Sequence, residues 1–556
     1  MSPRTGGQVL VDQLRIHGVD TVFCVPGESY IDALDALGSA RDAIRLVVCR
    51  QEGGASFMAE AYGKLTGRPG VCFVTRGPGA TNASIGVHTA FQDSTPLVLL
   101  VGQVARDALD REAFQEIDYR RMLAPLTKWV GQIEDPRRIP ELVSRAFSLA
   151  VAARPGPVAL ALPEDVLGEE CDVLDAGPYT VVQPHPGTRE LETLRELLAG
   201  AERPLAIVGG GGWTTEASAD LLTFAERNRI PVSASFRCQD RVDNSSEVYV
   251  GDVGLAINPK LAQRVREADV LLAIGPRLGE ATTSGYTLVE IPRPRQRLVH
   301  VHPAADELGR VYQPVLGINS GLPQFCAAAR ALEPVDRSRW ADWAAEARSD
   351  YETWIRPVPG PGRLNMSEVV VWLRERLARD SILTNGAGNF SVWAHRFYQF
   401  REYRTQLGPT SGTMGYGVPA AVAAKLVHPD RIVLCFSGDG DFLMTGQELA
   451  TAVQERAGIV VLVVNNGMYG TIRMHQERSY PGRPHGTELV NPDFAEYARA
   501  FGAYGEVVER TEDFPASFER ALEAGTPALL ELRVDPEALT PTRTLSEIRA
   551  DAARAS

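Results

Sequence analysis

Short apolar runs of roughly four to eight residues, rich in Val, Ile and Leu, recur along the chain between amphipathic stretches of helix length. They read TVFCVP, IRLVVC, GVCFVT and PLVLLVG in the first third, PLAIVG, DVLLAIG and RLVHVH in the middle, and SILTN, RIVLCFSG, IVVLVVNN and ALLELRV in the last. A strand that is apolar throughout, rather than at alternate positions, has both faces covered. The pattern predicts an α/β protein of parallel sheets covered by helices. Two stretches break it: DAGPYTVVQPHPGTRE (175–190) and VPGPGR (358–363) are rich in Pro and Gly and suit interdomain crossings. They set three domains, over 1–175, 190–335 and 360–540. The first and third share an order of strand, glycine turn, helix and strand, in GVCFVTRGPGATNASIGVHTAFQDSTPLVLLVGQ and RIVLCFSGDGDFLMTGQELATAVQERAGIVVLVVNN. Two such domains suit the two ends of one ligand.

Size and composition fit this picture. A chain of 556 residues exceeds what one hydrophobic core usually serves. The net charge of −13, with basic residues scattered, gives no sign of a nucleic-acid surface. Cys24, Cys49, Cys72, Cys171, Cys238, Cys326 and Cys435 never form a C-x-x-C pair, and most sit beside apolar residues, so reduced core thiols are expected. The N-terminal MSPRTGGQVLVDQLRIHG carries charges where a signal segment needs an apolar run, and no run of about 18 apolar residues occurs. A cytoplasmic protein without membrane association is expected.

The candidate chemistry is concentrated in CFSGDGDFLMTGQEL (435–449). Here an apolar run gives way to Gly438-Asp439-Gly440, with glycines expected where the turn would strain other residues. A glycine turn between a parallel strand and a helix aims N–H groups at whatever lies above the sheet and favours phosphate. Asp439 would repel phosphate unless a cation intervenes. Asn466 ends the next strand, in VVNNGMYG, close enough for its amide oxygen to join the Asp439 carboxylate. Two hard oxygen ligands, with a backbone carbonyl and phosphate oxygens, suit Mg²⁺, so the inferred ligand is a metal diphosphate. No G-x-x-x-x-G-K-[ST] is present, and GGGGWT (209–214) is read as a tight turn.

The pairing of GDG with NN is the thiamine diphosphate signature. VPGES, RQEGGASFMAEAYGKLTGRPGV, GPGATN, DSTPLVLLVGQ, AFQE, GTMGYGVPAA, GDGDF and NNGMYG follow in the matching order. On these motifs the chain resembles thiamine diphosphate-dependent decarboxylases and carboligases of the acetolactate synthase type, over nearly its whole length. The resemblance implies a pyrimidine-binding domain and a diphosphate-binding domain flanking a Rossmann-like central domain. It implies that Asp439, Asn466 and the carbonyl of Met468 hold Mg²⁺, and that Gly440, Asp441, Tyr469 and Gly470 meet the diphosphate. Asn389 in GAGN matches a further diphosphate contact, although Phe390 stands where relatives often have His. Met414 would wedge between the cofactor rings, and the carbonyl of Gly412 would accept from the 4′-amino group. Glu52 in RQEGGA matches the catalytic glutamate. Held near the aminopyrimidine N1′, it would share a proton with that nitrogen and favour the 4′-imino form, which removes the C2 proton. In the family these two domains come from different subunits, implying a homodimer or homotetramer with active sites at the subunit interface.

For the small-molecule carbonyl substrates the resemblance implies less. Glu28 in VPGES lies on the loop where relatives carry a substrate-facing residue. It either relays protons or caps the helix YIDALDAL, and the sequence leaves both open. Phe114 and Gln115 in AFQE resemble the carboligase pair beside the reacting carbon. Lys128 matches a family lysine but reads more simply as a surface residue. IGPRLGEATTSGYT lacks the RFDDR-like stretch that accompanies flavin, so FAD is not expected. His475 stands where acetolactate synthases carry an acceptor-selecting Trp, and Arg473, His475 and Arg478 either anchor a carboxylate or are ordinary exposed helix residues. A carboligase that decarboxylates a 2-oxo acid is the leading expectation. A lyase or a simple decarboxylase using the same cofactor is the alternative. A non-catalytic relative has no chemical need to keep Glu52, Asp439 and Asn466 together.

Overall fold

The computed structural model describes residues 3–555. After a two-residue strand, β1 (Arg4–Thr5), the chain lays down β2 (Thr21–Cys24), β3 (Arg45–Val48), β4 (Gly70–Val74), β5 (Leu97–Gln103), β6 (Trp129–Gln132) and β7 (Pro157–Pro163). These six form an all-parallel sheet of order β3-β2-β4-β5-β7-β6, and β8 (Glu170–Cys171) returns antiparallel onto β1. A second parallel sheet, β11-β10-β9-β12-β13-β14, takes β9 (Pro204–Val208), β10 (Val232–Ser235), β11 (Tyr249–Val253), β12 (Val270–Ile274), β13 (Arg297–His302) and β14 (Leu316–Asn319). The third, β16-β15-β17-β18-β20-β19, takes β15 (Ile382–Asn385), β16 (Gln406–Leu407), β17 (Val433–Gly438), β18 (Val460–Asn465), β19 (Tyr504–Val508) and β20 (Ala528–Arg533), again all parallel. The chain is thus α/β, with helices filling the crossovers as parallel pairing requires.

By internal contacts the chain divides into two compact units. One comprises residues up to 182 with 422–427 and 450–455, and the other comprises the remainder, including the second and third sheets. In the first sheet β4, β5 and β7 are buried at every position, which is why they read as unbroken apolar runs. Val22, Phe73, Leu100 and Leu160 belong to its core, and Leu383, Phe436, Leu462 and Leu530 to that of the third sheet.

Two helices of the first unit set its working end. Helix Glu52–Thr66 is capped at its start by the Gln51 side chain, which accepts from the Gly54 N–H at 3.1 Å, and it stops at Gly67 with φ 74°. It is almost wholly buried because it lies directly on helix Gly77–Asp93: a Cβ on Gly86 would stand 2.2 Å from Ser56 Oγ. The small residues of EGGAS and GPGATNASIG allow this approach.

The strand order switches sides between β2 and β4 in the first sheet and between β15 and β17 in the third. Loops leaving such a pair on the carboxyl side diverge and open a crevice, the usual ligand position in open α/β sheets. The motif residues follow these strands. The glycine run at 209–214 closes as a tight turn, with Trp213 Nε1 donating to the Gly209 carbonyl at 2.8 Å and Thr214 capping the next helix. All seven cysteines are buried thiols outside any disulfide.

Candidate active site

At the end of β17 the chain runs from Gly438 straight into the short helix Asp439–Phe442. Neither Gly438 nor Gly440 has a positive φ, so the expectation that these glycines relieve turn strain is corrected. They are needed for space. A Cβ on Gly438 would lie 2.7 Å from the Phe390 ring, and one on Gly440 2.5 Å from the Tyr469 ring. Left-handed glycines are found instead in GTMGYG, at Gly412 (φ 69°) and Gly415 (φ 81°).

Asp439 is buried, and its hydrogen bonds are all with neutral N–H groups. Oδ1 accepts from Gly440 N at 2.9 Å, and Oδ2 accepts from Gly467 N at 2.9 Å and Asn491 Nδ2 at 2.8 Å. No ion pair reaches it among the described residues, and burial raises its pKa. Asn466 follows β18, the strand beside β17, and its Oδ1 accepts from the Met468 N–H at 3.1 Å. The turn that follows is held from outside: Met468 bridges to Glu488, Tyr469 N–H donates to the Thr487 carbonyl at 2.9 Å, and Leu489 N–H donates to Gly467 at 2.9 Å. Asn389 is fixed by Thr471, whose Oγ1 donates to Asn389 Oδ1 at 3.0 Å.

Asp441 has a different part. Its carboxylate is turned into the protein, where Oδ1 accepts from Ala387 N at 3.0 Å and Gly415 N at 2.9 Å while Oδ2 accepts from Ser437 Oγ. It ties the segments at Ala387 and Gly415 to the end of β17. Burial pushes its pKa up to about 6.

Asn389, Gly412, Met414, Gly438, Asp439, Gly440, Asp441, Asn466, Met468, Tyr469 and Gly470 all line one cavity of about 240 Å³. Ile472 and Leu539 are among the other residues of its wall. His475 is exposed on helix Gly470–Ser479, outside that lining. Arg473 donates to Glu477 at 3.0 Å, so it is engaged within the helix, and Arg478 is exposed.

In the first unit Glu52 starts its helix after β3, and its Oε2 accepts from Asn82 Nδ2 at 2.9 Å. Gly79 lies beside it, and a Cβ there would stand 2.9 Å from Thr75 Cγ2. Gln115 holds a left-handed backbone (φ 66°), and its carbonyl accepts from Gly77 N at 2.9 Å. That bond pins AFQE to the same helix start and leaves Phe114 72% exposed. Glu28 makes no cap: its Oε1 accepts from Arg76 Nη2 at 2.7 Å. Lys128, read as a surface residue, is half-buried. Its Nζ donates to the carbonyls of Leu149 and Ala152 at the end of helix Ile139–Val151, and burial lowers its pKa to about 8.

Arg76, Asn491, Ser437 and Thr471 escaped the sequence reading. Asn491 lies 52 residues from the carboxylate it supports, and nothing local marks it. A signal for Arg76 was present, a lone charge in the otherwise small and apolar FVTRGPGA.

Comparison with known proteins agrees with this geometry. Residues 4–122 match the thiamine pyrophosphate enzyme N-terminal TPP binding domain, 191–328 the central domain, and 386–532 the C-terminal TPP binding domain. The acetolactate synthase large subunit of Parasynechococcus marenigrum is 33% identical over 549 residues, covering 96% of this chain and 88% of the relative. That of Corynebacterium glutamicum is 33% identical over 553 residues, covering 96% and 87%. The isozyme 2 large subunit of Escherichia coli is 30% identical over 535 residues, covering 95% of each. With matches to all three domains and likeness over nearly the whole chain, the chain belongs to the thiamine pyrophosphate enzyme family as an acetolactate synthase-like enzyme.

Proposed function

We propose that the protein is a Mg²⁺-dependent carboligase that uses thiamine diphosphate to decarboxylate a 2-oxo acid such as pyruvate and transfers the acyl unit to a second carbonyl. The observation that carries this reading is Asp439, a buried carboxylate with no cationic partner among the described residues, lining the same cavity as Asn466 and Met468, whose amide and carbonyl oxygens would join it. Such hard oxygens suit Mg²⁺. Glycines at 438 and 440, where any side chain would collide with Phe390 or Tyr469, fit a diphosphate lying close to the backbone.

In this reading Asp439, Asn466 and Met468 hold the metal, and Gly440, Asp441 and the Tyr469–Gly470 turn meet the diphosphate. Asn389 adds a side-chain contact, the Gly412 carbonyl accepts from the 4′-amino group, and Met414 separates the two rings. When bound, the cofactor supplies a carbon nucleophile and an electron sink for the charge left by CO₂ loss. Glu52 supplies the proton at the pyrimidine N1′. Asn82 holds one of its oxygens and, among the described residues, Oε1 accepts no hydrogen bond, so that oxygen is available to the ring nitrogen. Phe114 and Gln115 flank the reacting carbonyls. We also propose at least a homodimer, and no flavin requirement.

The test is incubation of the purified protein with thiamine diphosphate, Mg²⁺ and pyruvate, with product identification by mass. Acetolactate is expected. Acetaldehyde alone would make the protein a decarboxylase, and no turnover with cleavage of 2-hydroxy ketones would make it a lyase.

A further inference from the structure

The segment that follows β10 in the second sheet docks against the edge of the third, where β16 is the outermost strand. The Gln239 N–H donates to Gln406 Oε1 at 2.7 Å, and Gln239 Nε2 donates to the His395 carbonyl at 2.7 Å. Asp240 Oδ2 accepts from the N–H groups of Arg404 at 3.0 Å, Thr405 at 3.2 Å and Gln406 at 3.3 Å. An edge strand needs cover of this kind, which accounts for Gln239 and Asp240. It does not account for Arg237.

Arg237 is 6% exposed and holds a left-handed backbone (φ 58°), a strained conformation for a long side chain. Its guanidinium reaches past the strand to the loop beyond. Nη1 donates to the Pro409 carbonyl at 2.5 Å, and Nη2 lies 3.4 Å from Ser391 Oγ. Gly408 makes way for it, since a Cβ there would stand 3.0 Å from Arg237 Cδ. The same Pro409 carbonyl accepts the Gly412 N–H at 3.1 Å and so closes the turn 409–412. One oxygen thus joins Arg237 to Gly412. Farther along, the Gly415 N–H donates to Asp441 and the Gly415 carbonyl accepts from Thr445 Oγ1 at 2.5 Å. Gly412 and Met414, between these two holds, line the cavity. Burying a guanidinium costs free energy, and a charged donor holds a carbonyl more firmly than a neutral one. Covering an edge requires neither.

We infer that Arg237 is a positioning residue: through the Pro409 carbonyl it fixes the turn that aims the Gly412 carbonyl at the cofactor's 4′-amino group. This rests on the reading that gives Gly412 that role. Gly412 has a φ of 69° and no side chain to restrict it, so the direction of its carbonyl depends on what holds the turn from outside. That direction matters because the 4′-amino nitrogen must lie against C2–H to take its proton, and a misplacement of about 1 Å can slow such a step a hundredfold. The central domain supplies none of the proposed ligands or proton carriers. By this contact it acts on the chemistry all the same, at the pyrimidine end of the cofactor.

The experiment measures Kd, with Mg²⁺ present, for thiamine diphosphate and for its 4′-deamino analogue, which lacks the group that Gly412 would accept from. Wild type should prefer the natural cofactor about tenfold and Arg237→Met about threefold or less, with the analogue's Kd unchanged. A merely structural role would weaken both ligands equally and keep the ratio. In the same samples C2–H exchange of the bound natural cofactor should slow about tenfold in Arg237→Met. Arg237→Lys should fall between, and Gln239→Leu, which disturbs the docking at Gln406 and His395 but not Pro409, should keep the wild-type ratio. A wild-type ratio or wild-type exchange in Arg237→Met, or an equal fall of the ratio in Gln239→Leu, overturns the inference alone. Should Arg237→Met not fold, a wild-type ratio in Arg237→Lys overturns it. A wild type that binds both ligands alike overturns the role given to Gly412, and this inference with it. One that binds neither overturns the cofactor reading.

Discussion

Glu52 and Asp441 are both carboxylates beside glycine-rich turns, yet their environments give them different work. Glu52 is half-buried with one oxygen held by Asn82. Replacing it with Gln keeps the shape and removes the proton exchange, so cofactor affinity should change little while C2–H exchange, followed by NMR, slows by orders of magnitude. Unchanged exchange would sink its assignment as the base. Asp441 is a tether whose carboxylate is costly to bury. Its folded pKa, about 6, lies above the ordinary 3.8, so the folded chain holds this proton more tightly than the unfolded one within that interval. The stability it contributes is therefore full below about pH 4 and lost as pH rises through about 6. Asp441→Asn preserves an acceptor for Ala387 and Gly415 and removes this slope. The cofactor-free variant should match wild type near pH 4 and exceed it at pH 7 by on the order of 1–3 kcal/mol in urea unfolding. A variant less stable at both pH values would show that the charge itself is needed.

Elements were legible where they are buried on both faces. β5, β9, β12, β17 and β18 announce themselves as apolar runs because helices cover them. The strands left unmarked are mostly edges. β14 and β19 are only partly buried, and β16 is two residues long, so little apolar signal accumulates. β10 is central, but VSAS is built of small residues. The candidate site was legible for a related reason: residues that follow adjacent strand ends fall together once strand order is known. Asn491 and Arg76 needed coordinates because their partners come from distant segments. So did the C-terminal helix Leu545–Ala555. Its Arg549 donates to Glu477 at 2.9 and 2.8 Å, while Leu545 and Ile548 pack with Met474 and Leu539. Arg549 chiefly holds the Glu477 pKa down to about 2. Since Leu539, Thr471 and Ile472 line the cavity, this helix braces one of its walls. Arg549→Ala should loosen that wall and leave Glu477 to Arg473 and the Gly482 N–H, at a cost of about 1–3 kcal/mol. Cofactor Kd should rise several-fold with kcat little changed, and an unaltered Kd would show that the clasp does not act on the cavity.

At the scale of the whole molecule the proposed base and the proposed metal ligand stand in different domains, Glu52 after β3 and Asp439 after β17. If each catalytic site takes Glu52 from one subunit and Asp439 from its partner, two inactive variants can repair each other. Glu52→Gln and Asp439→Ala should each abolish turnover, the second through lost metal-dependent cofactor binding. In a hybrid dimer one site inherits both defects and the other inherits neither. Random association makes half the dimers hybrid, so an equal mixture after subunit exchange should recover about a quarter of wild-type activity. Hybrids isolated through two different affinity tags should reach about half. Sites built from a single chain predict no recovery at any mixing ratio, because every site then carries one defect. The measurement needs no knowledge of the natural acceptor, since C2–H exchange and CO₂ release from pyruvate both report a complete site. Dilution gives a second reading of the same geometry: activity should fall with dissociation and return on concentration, whereas activity proportional to protein through the dissociating range would place both residues of a site on one chain.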